Sequence, residues 1–319
     1  MKAAVVTSFE AAPRFQDFPA PAAAGDGEMV VDVLAAGLHP RVRSQASGSH
    51  YTSTGELPLV PGVDGVGRGP DGLLRYFILD GTGPGAMAEQ VLIDTRRSVV
   101  LPEGSDPVAV AAGMNPAMSS WVALRQRVSF QAGQDVLVLG ATGNAGRLAV
   151  QVARRLGAGE VIAAGRDAGR LAALPALGAT ATVLLDGDAA ASARRLAVAA
   201  DADVVLDYLW GPPAAAVMAA LITGRPDRGR QLTWVTIGSV AGLTAPVPAA
   251  ALRAARLQIV GSGQGSVGTG EIRAELPALA AEITSGVFDV RARPVPLADV
   301  GPAWADTASP AERIVITPA

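Results

Sequence analysis

The apolar positions of this chain change their rhythm near residue 117. Before it, apolar runs at 2–7, 28–36, 75–79, 87–93 and 98–101 are separated by glycine and proline, which is the pattern of short strands, and the spacing predicts a small β-rich, barrel-like domain. After it, apolar runs alternate with stretches of helical period. Strands are expected at 136–139, 160–164, 181–185, 203–208, 231–237 and 257–261, with helices between them that include 145–156, a stretch ending near Gly178, and 213–222. Six apolar strands with helical crossovers predict an α/β fold with a doubly wound parallel sheet. From about Gly265 a helix candidate at 271–285 and a closing strand at 313–317 remain, and they return most economically to the first domain. The expected division is therefore 1–116 with 265–319, and an inserted 117–264. A length of 319 residues, beyond the usual size of one hydrophobic core, agrees with two domains.

The strand expected at 136–139 leads into Gly140, Gly143 and Gly146 and then a helical pattern of Ala145, Leu148, Ala149, Val152, Ala153 and Leu156, with Gly157 placed as its C-terminal cap. This is the layout of a dinucleotide-binding turn. Gly140 permits a sharp exit from the strand, Gly143 lets backbone approach a pyrophosphate, and Gly146 lets the helix sit close to the sheet. Thr142, Asn144 and Ala145 complete the candidate phosphate set, at a helix N-terminus that favours an anion. One strand further on, Gly165 leaves room at the strand end and Arg166 can form a forked contact with a ribose phosphate, to which Arg170 can add. That choice of residues favours NADPH. Asp167 is the competing feature, since a strand ending one residue later puts a carboxylate at the ribose instead. Arg147 reads as an exposed helix residue.

Composition narrows the chemistry. A net charge of −3 without basic clusters gives no footprint for nucleic acid. With no cysteine and only His39 and His50 as imidazoles, neither a thiolate zinc site nor a histidine-based metal site is expected. No apolar run approaches a membrane span of about 20 residues, and the first residues lack a signal-peptide layout. The expected setting is cytoplasmic.

Four stretches together resemble the zinc-independent quinone oxidoreductase branch of the medium-chain dehydrogenase/reductase superfamily. They are residues 33–40 (VLAAGLHP), 57–67 (LPLVPGVDGVG), 119–124 (SSWVAL) and the glycine turn with its helix. The resemblance implies a GroES-like catalytic domain, a Rossmann domain, NADPH in a cleft between them, a small-molecule substrate and a homodimer joined through the Rossmann sheets. It also implies backbone contacts to the nicotinamide amide from the loops at Ile237 and Gly238 and at Gly261 and Ser262, with Tyr208 a further cofactor candidate. Ser119 stands where relatives place a hydroxyl near the ring, or else it is a plain helix cap. Residues 261–270 either serve the cofactor or form a flexible connection. Asp64 occupies the place of an acid in zinc-containing relatives; here it is expected to hold turn backbone.

On the substrate side the chain departs from its relatives, which read Asn-Pro followed one residue on by an acid; here His39 replaces the amide and Val42 the acid. His39 is either a hydrogen-bond or proton donor to substrate or a structural histidine. Tyr51 is the other proton-donor candidate, and His50 beside it reads as exposed. Trp121 and Trp210 line the cleft or pack in the core. The expected activity is NADPH-dependent hydride transfer to a quinone or an activated enone or carbonyl. The alternatives are a pathway-specific tailoring reductase of a larger ketone or enone, and a non-catalytic NADPH-binding sensor.

Overall fold

The computed structural model describes residues 1–23, 25–50, 53–306 and 312–318. In chain order, the first part carries β1 (Lys2–Val5), β2 (Arg14–Asp17), β3 (Glu28–Gly37), α1 (Pro40–Ala46), β4 (Asp64–Arg68), β5 (Leu74–Ile78), β6 (Gln90–Asp94), β7 (Ser98–Val100) and α2 (Pro107–Val122). The middle carries β8 (Val136–Leu139), α3 (Asn144–Arg155), β9 (Val161–Gly165), α4 (Ala168–Leu171), β10 (Ala181–Leu184), α5 (Ala189–Arg195), β11 (Val204–Asp207), α6 (Gly211–Gly224), β12 (Leu232–Thr236), α7 (Ala249–Ala254) and β13 (Leu257–Gly261). The last part carries α8 (Thr269–Thr284), β14 (Ala292–Pro296), α9 (Val300–Ala305) and β15 (Arg313–Thr317). Two compact units result, Met1–Asn115 with Arg273–Ala319, and Pro116–Ile272. Among the described residues no helix is long and apolar enough to cross a membrane.

The first unit is built on a sheet ordered β14-β15-β3-β4-β5-β7, with β6 also paired to β3. The closing strand β15 lies antiparallel to the end of β3, with Val315 opposite Gly37, so the C-terminal residues complete the sheet that the N-terminal ones begin. Apolar side chains of β3, β5, β6 and β15, among them Val31, Val33, Phe77, Val91 and Ile316, form one core. The strand β4 reads Asp-Gly-Val-Gly-Arg and carries little strand propensity, which hides it in the sequence. Its glycines are explained by closeness: a Cβ on Gly65 would lie 2.9 Å from Ala35 O, and one on Gly67 2.9 Å from Asp32 O.

The second unit holds six strands in the order β10-β9-β8-β11-β12-β13. Every neighbouring pair is parallel, so the chain runs outward from β8 to one edge and then returns to run outward to the other. The point of reversal lies beside β8, and in such sheets ligands bind outside the carboxyl ends of the strands at that point. β8 and β9 are buried throughout, as strands covered on both faces must be. One expected helix is broken: the stretch ending at Gly178 is the single turn α4 followed by a 3₁₀ turn at Pro175–Leu177, because Pro175 lacks the N–H a continuing helix needs. Arg147 is a second correction. Residues 146–153 of α3 are all buried, so this arginine is drawn inside with only 8% of its surface exposed.

Candidate active site

The turn after β8 is shaped by its glycines. Gly140 adopts φ +83°, in the left-handed region, and its N–H and that of Ala141 both donate to Ala164 O at 3.0 Å, tying the turn to β9. A Cβ on Gly146 would lie 2.2 Å from Gly140 O, so no side chain fits between the start of α3 and the turn. Gly165 is held the same way, since its Cβ would lie 2.6 Å from the Thr142 side chain. Gly143 differs: it is the N-cap of α3, has φ −85°, and its Cβ would meet nothing nearer than Gly140 O at 3.5 Å. Nothing within the protein requires glycine there.

Gly143 offers no side-chain cap, and the first helical N–H to reach back is that of Arg147, to Gly143 O at 2.8 Å. The N–H groups of Asn144, Ala145 and Gly146 thus open the helix without intrahelical acceptors. Together with the helix dipole they form a cradle for an anion. A diphosphate fits this donor set, and open space beside Gly143 is what its approach needs.

At the end of β9 Arg166 is exposed and pairs with no carboxylate among the described residues. Asp167 is committed elsewhere. Its carboxylate caps α4 by accepting from the Arg170 N–H at 3.0 Å, and it also pairs with the Arg170 guanidinium at 3.2 Å. The strand ends at Gly165, before the acid, which leaves Arg166 as the charge next to the strand end.

The loops following β11 and β12 are fastened through Asp207. Fully buried, it accepts from Leu209 N–H at 2.8 Å, Trp210 N–H at 3.0 Å and Trp234 Nε1 at 2.9 Å. Burial raises its carboxyl above the usual range, against the three donors that favour the charged form. The same aspartate takes Ile237 and Gly238 N–H on its backbone oxygen at 2.8 and 3.1 Å, and a Cβ on Gly238 would lie 2.9 Å from Tyr208 O. Trp210 is half-buried against the core of this unit at φ +49°, a conformation unusual for an aromatic residue. Trp121 is buried, with the Arg125 guanidinium 5.3 Å from its ring.

Ser119 lies within α2, where it caps nothing; the cap reading fails because Pro107 begins the helix three turns earlier. Its Oγ donates to Pro116 O at 2.6 Å and shares a hydrogen bond of 2.8 Å with the Tyr208 hydroxyl. Burial pushes the Tyr208 phenol up to about 12. Nearby in sequence to Ile237, Thr236 Oγ1 is buried without a hydrogen-bond partner. The sequence reading missed it, although its position as the last residue of β12, before the Ile-Gly loop, was the available signal. Ser262 N–H donates to Thr236 O at 2.9 Å, and Arg127 Nε donates to Gly261 O at 2.8 Å. Residues 263–266 form a hydrogen-bonded turn closed by Ser266 Oγ on Gly263 N–H at 2.8 Å, which is more structure than a plain connection requires.

In the first unit His39 ends up beside Asp64. The imidazole is 3% exposed, with Nε2 at 2.9 Å from Asp64 Oδ1, while the Tyr76 hydroxyl donates to Oδ2 at 2.7 Å. Burial lowers the His39 pKa against the upward pull of Asp64, so the ring is neutral at pH 7 and its Nε2–H faces the carboxylate. Burial raises Tyr76 well above an ordinary phenol and brings Arg313, whose Nη1 donates to Leu38 O at 3.1 Å, down to about 10. Asp64 therefore does not hold turn backbone as expected. It opens β4 facing the core, where two side-chain donors satisfy it. His50 is half-buried rather than exposed, and burial with the nearby Arg41 charge lowers its pKa. Tyr51 lies outside the described residues. Val42 is fully buried, and Arg43 caps the end of α9 through Ala303, Trp304 and Asp306 carbonyls while stacking on Trp304 at 5.4 Å.

A parallel six-stranded sheet, reversed at a strand whose glycine turn opens a helix, defines a doubly wound dinucleotide-binding fold. No family model matches the sequence. The probable NADPH-dependent quinone reductase tdiC of Emericella nidulans is 30% identical over 359 aligned positions that cover all of both chains. The 2-methylene-furan-3-one reductase of Solanum lycopersicum is 26% identical over 170 positions, 48% of this chain and 44% of its own. Among solved structures, the quinone oxidoreductase of Thermus thermophilus, also solved with NADPH, has a TM-score of 0.77 and 25% identity, over 99% of this chain and 100% of that one. The chain belongs to the medium-chain dehydrogenase/reductase superfamily, in its quinone oxidoreductase branch.

Proposed function

We propose that this protein is a zinc-independent, NADPH-dependent reductase of quinones or activated enones and carbonyls. The observation that carries the reading is the open cradle at Gly143 to Gly146, in a chain that aligns along its whole length with a quinone reductase. When bound, the reduced nicotinamide supplies a hydride. The unit 116–272 takes the role of cofactor domain and the other that of substrate domain. Gly140, Thr142, Gly143, Asn144, Ala145 and Gly146 hold the diphosphate. Gly165 and Arg166 receive the ribose phosphate, with Arg170 contributing less because Asp167 neutralises it. Ser119, Tyr208, Ile237, Gly238, Gly261 and Ser262 border the nicotinamide, and the unsatisfied Thr236 hydroxyl is a further partner for its amide.

His39 is assigned a positioning role at the start of α1, since its ring is buried, neutral and engaged by Asp64. Tyr51 remains the proton-donor candidate on the substrate side. Negative charge on a quinone or enone oxygen is well served by hydrogen-bond donors, with water supplying the last proton. A small-molecule substrate, a cytoplasmic setting and a homodimer belong to the same reading.

Mixing the protein with NADPH and a panel of quinones and enones, while following nicotinamide absorbance, tests the reading. Consumption with at least one class is expected. Tight NADPH binding with no consumption across the panel would favour a sensor.

A further inference from the structure

β13 is the last strand of the parallel sheet and pairs on one side only, with β12. The hydrogen-bonding groups of successive residues in a strand point to opposite sides. Ser262 N–H turns inward, to Thr236 O at 2.9 Å, so Gly261 O turns outward, where no strand stands to donate to it. Arg127 fills that place: its Nε–H donates to Gly261 O at 2.8 Å. The 261–262 peptide is thereby held at both ends, its N–H by β12 and its carbonyl by a cation.

Arg127 reaches this carbonyl from a helix that changes its winding. Beyond Val122 the chain of α2 continues through a wider turn, Ala123–Arg127, in which Val128 N–H donates to Ala123 O, five residues back, at 3.1 Å. One extra residue in a turn rotates everything after it by about 100° around the helix axis. Single wide turns of this kind are frequent at functional sites. Arg125, two residues earlier, leans on the Trp121 ring instead, 5.3 Å away. Arg127 is half-buried and forms no ion pair among the described residues, so its hydrogen bond to Gly261 O faces no competing carboxylate.

Beyond this peptide lies the turn 263–266, closed by Ser266 Oγ on Gly263 N–H at 2.8 Å and followed by Val267 N–H on Gly263 O at 3.3 Å. It leaves the sheet in the direction that the 261–262 peptide sets. We propose that Arg127 is a positioning residue for the nicotinamide half of the cofactor: by fixing Gly261 O it sets the orientation of the 261–262 peptide, and of the turn beyond it, against which the ring is placed. That role rests on the reading that Gly261 and Ser262 border the nicotinamide. The adenosine and diphosphate, received after β9 and β8 several strands away, do not depend on it.

The test compares two ligands in the parent protein and in Arg127→Ala. One is NADPH; the other is 2′-phospho-ADP-ribose, which keeps the phosphorylated adenosine, the diphosphate and a ribose but lacks the nicotinamide ring. Calorimetry is expected to show NADPH weakened about tenfold by the substitution, as for the loss of one charge-assisted hydrogen bond, and the truncated ligand bound as tightly as by the parent. Arg127→Met, which keeps the length of the stem, should behave the same way and separates the lost donor from lost packing. Without ligand, hydrogen exchange at the Ser262 and Gly263 amides should quicken in both variants. Equal weakening of the two ligands, unaltered NADPH affinity, or unaltered exchange in a folded variant would each overturn the proposal. A parent protein that binds neither ligand would remove the cofactor reading and this role with it, whereas a parent that binds both and a variant that loses both alike defeats the Arg127 assignment alone.

Discussion

Gly143 and Gly146 sit three residues apart, and the geometry assigns them opposite responses to the same added methyl group. In Gly146→Ala the new Cβ would stand 2.2 Å from Gly140 O and 2.7 Å from Ala141 Cα, both backbone atoms of the turn. Overpacking of that kind costs about 1–3 kcal/mol, at the upper end where backbone must shift. The better helix propensity of alanine returns up to about 1 kcal/mol. A net loss of about 2 kcal/mol lowers the melting temperature by about 4–8 °C in a domain of this size. In Gly143→Ala the nearest atom is 3.5 Å away and φ is −85°, which alanine adopts freely. Reduced freedom of the unfolded chain gains about 0.4–1 kcal/mol, and the poorer N-cap costs a similar amount, so stability should hold to within about 0.5 kcal/mol. The methyl nevertheless occupies the approach to the helix N-terminus, and NADPH affinity should fall by at least about tenfold. Thermal melts alongside calorimetric NADPH titrations read both quantities. If Gly143→Ala binds NADPH like the parent protein, the cradle is not where the diphosphate rests.

Three further outcomes are expected. Arg166→Ala should weaken NADPH by about tenfold or more while leaving NADH nearly unchanged; equal losses in parallel titrations would remove the basis for the phosphate assignment. Because the folded-state pKa of His39 lies below its ordinary 6.5, the unfolded chain binds more protons in the window beneath that value, and stability should drop as pH falls through it. His50 adds to the same slope. In melts between about pH 7 and 5.5, His39→Gln should flatten this dependence and leave turnover in place, whereas an unchanged slope or a lost kcat with an intact melting temperature would return His39 to the chemistry. Asp207→Ala leaves two backbone N–H groups and the Trp234 indole without their acceptor; at about 1–3 kcal/mol for each unsatisfied donor, denaturant titration should show a loss of at least about 3 kcal/mol, and a loss near zero would mean the loops are held by other means.

What the sequence made legible follows from the range of the interactions involved. The glycine turn and its helix are local: φ at Gly140, close packing at Gly146 and the cap at Gly157 are dictated by neighbours in the chain, and the periodic apolar positions of α3 show them. Strands β13 and β15 coincide with their apolar runs, 257–261 and 313–317. By contrast β4 is a strand because its glycines let it lie against β3, a property of the partner strand rather than of its own residues. The same holds for the side chains around Asp64. His39, Asp64 and Tyr76 come together only after β4 pairs with β3 and β5, so neither the histidine's burial nor the aspartate's partners can be read from spacing. Arg147 looked exposed because arginine usually is, and only the covering of α3 on more than one face draws it inward. Asp207 and Thr236 stand at strand ends where chemistry is expected, yet the fastening of two loops by one carboxylate needed the fold to become visible.

Calorimetric titration of the folded protein with NADPH, and separately with NADH, addresses the central claim most directly. Saturable heat with NADPH, at one site per chain and with clearly higher affinity than for NADH, is the result the account expects. No heat with either reduced coenzyme would contradict it.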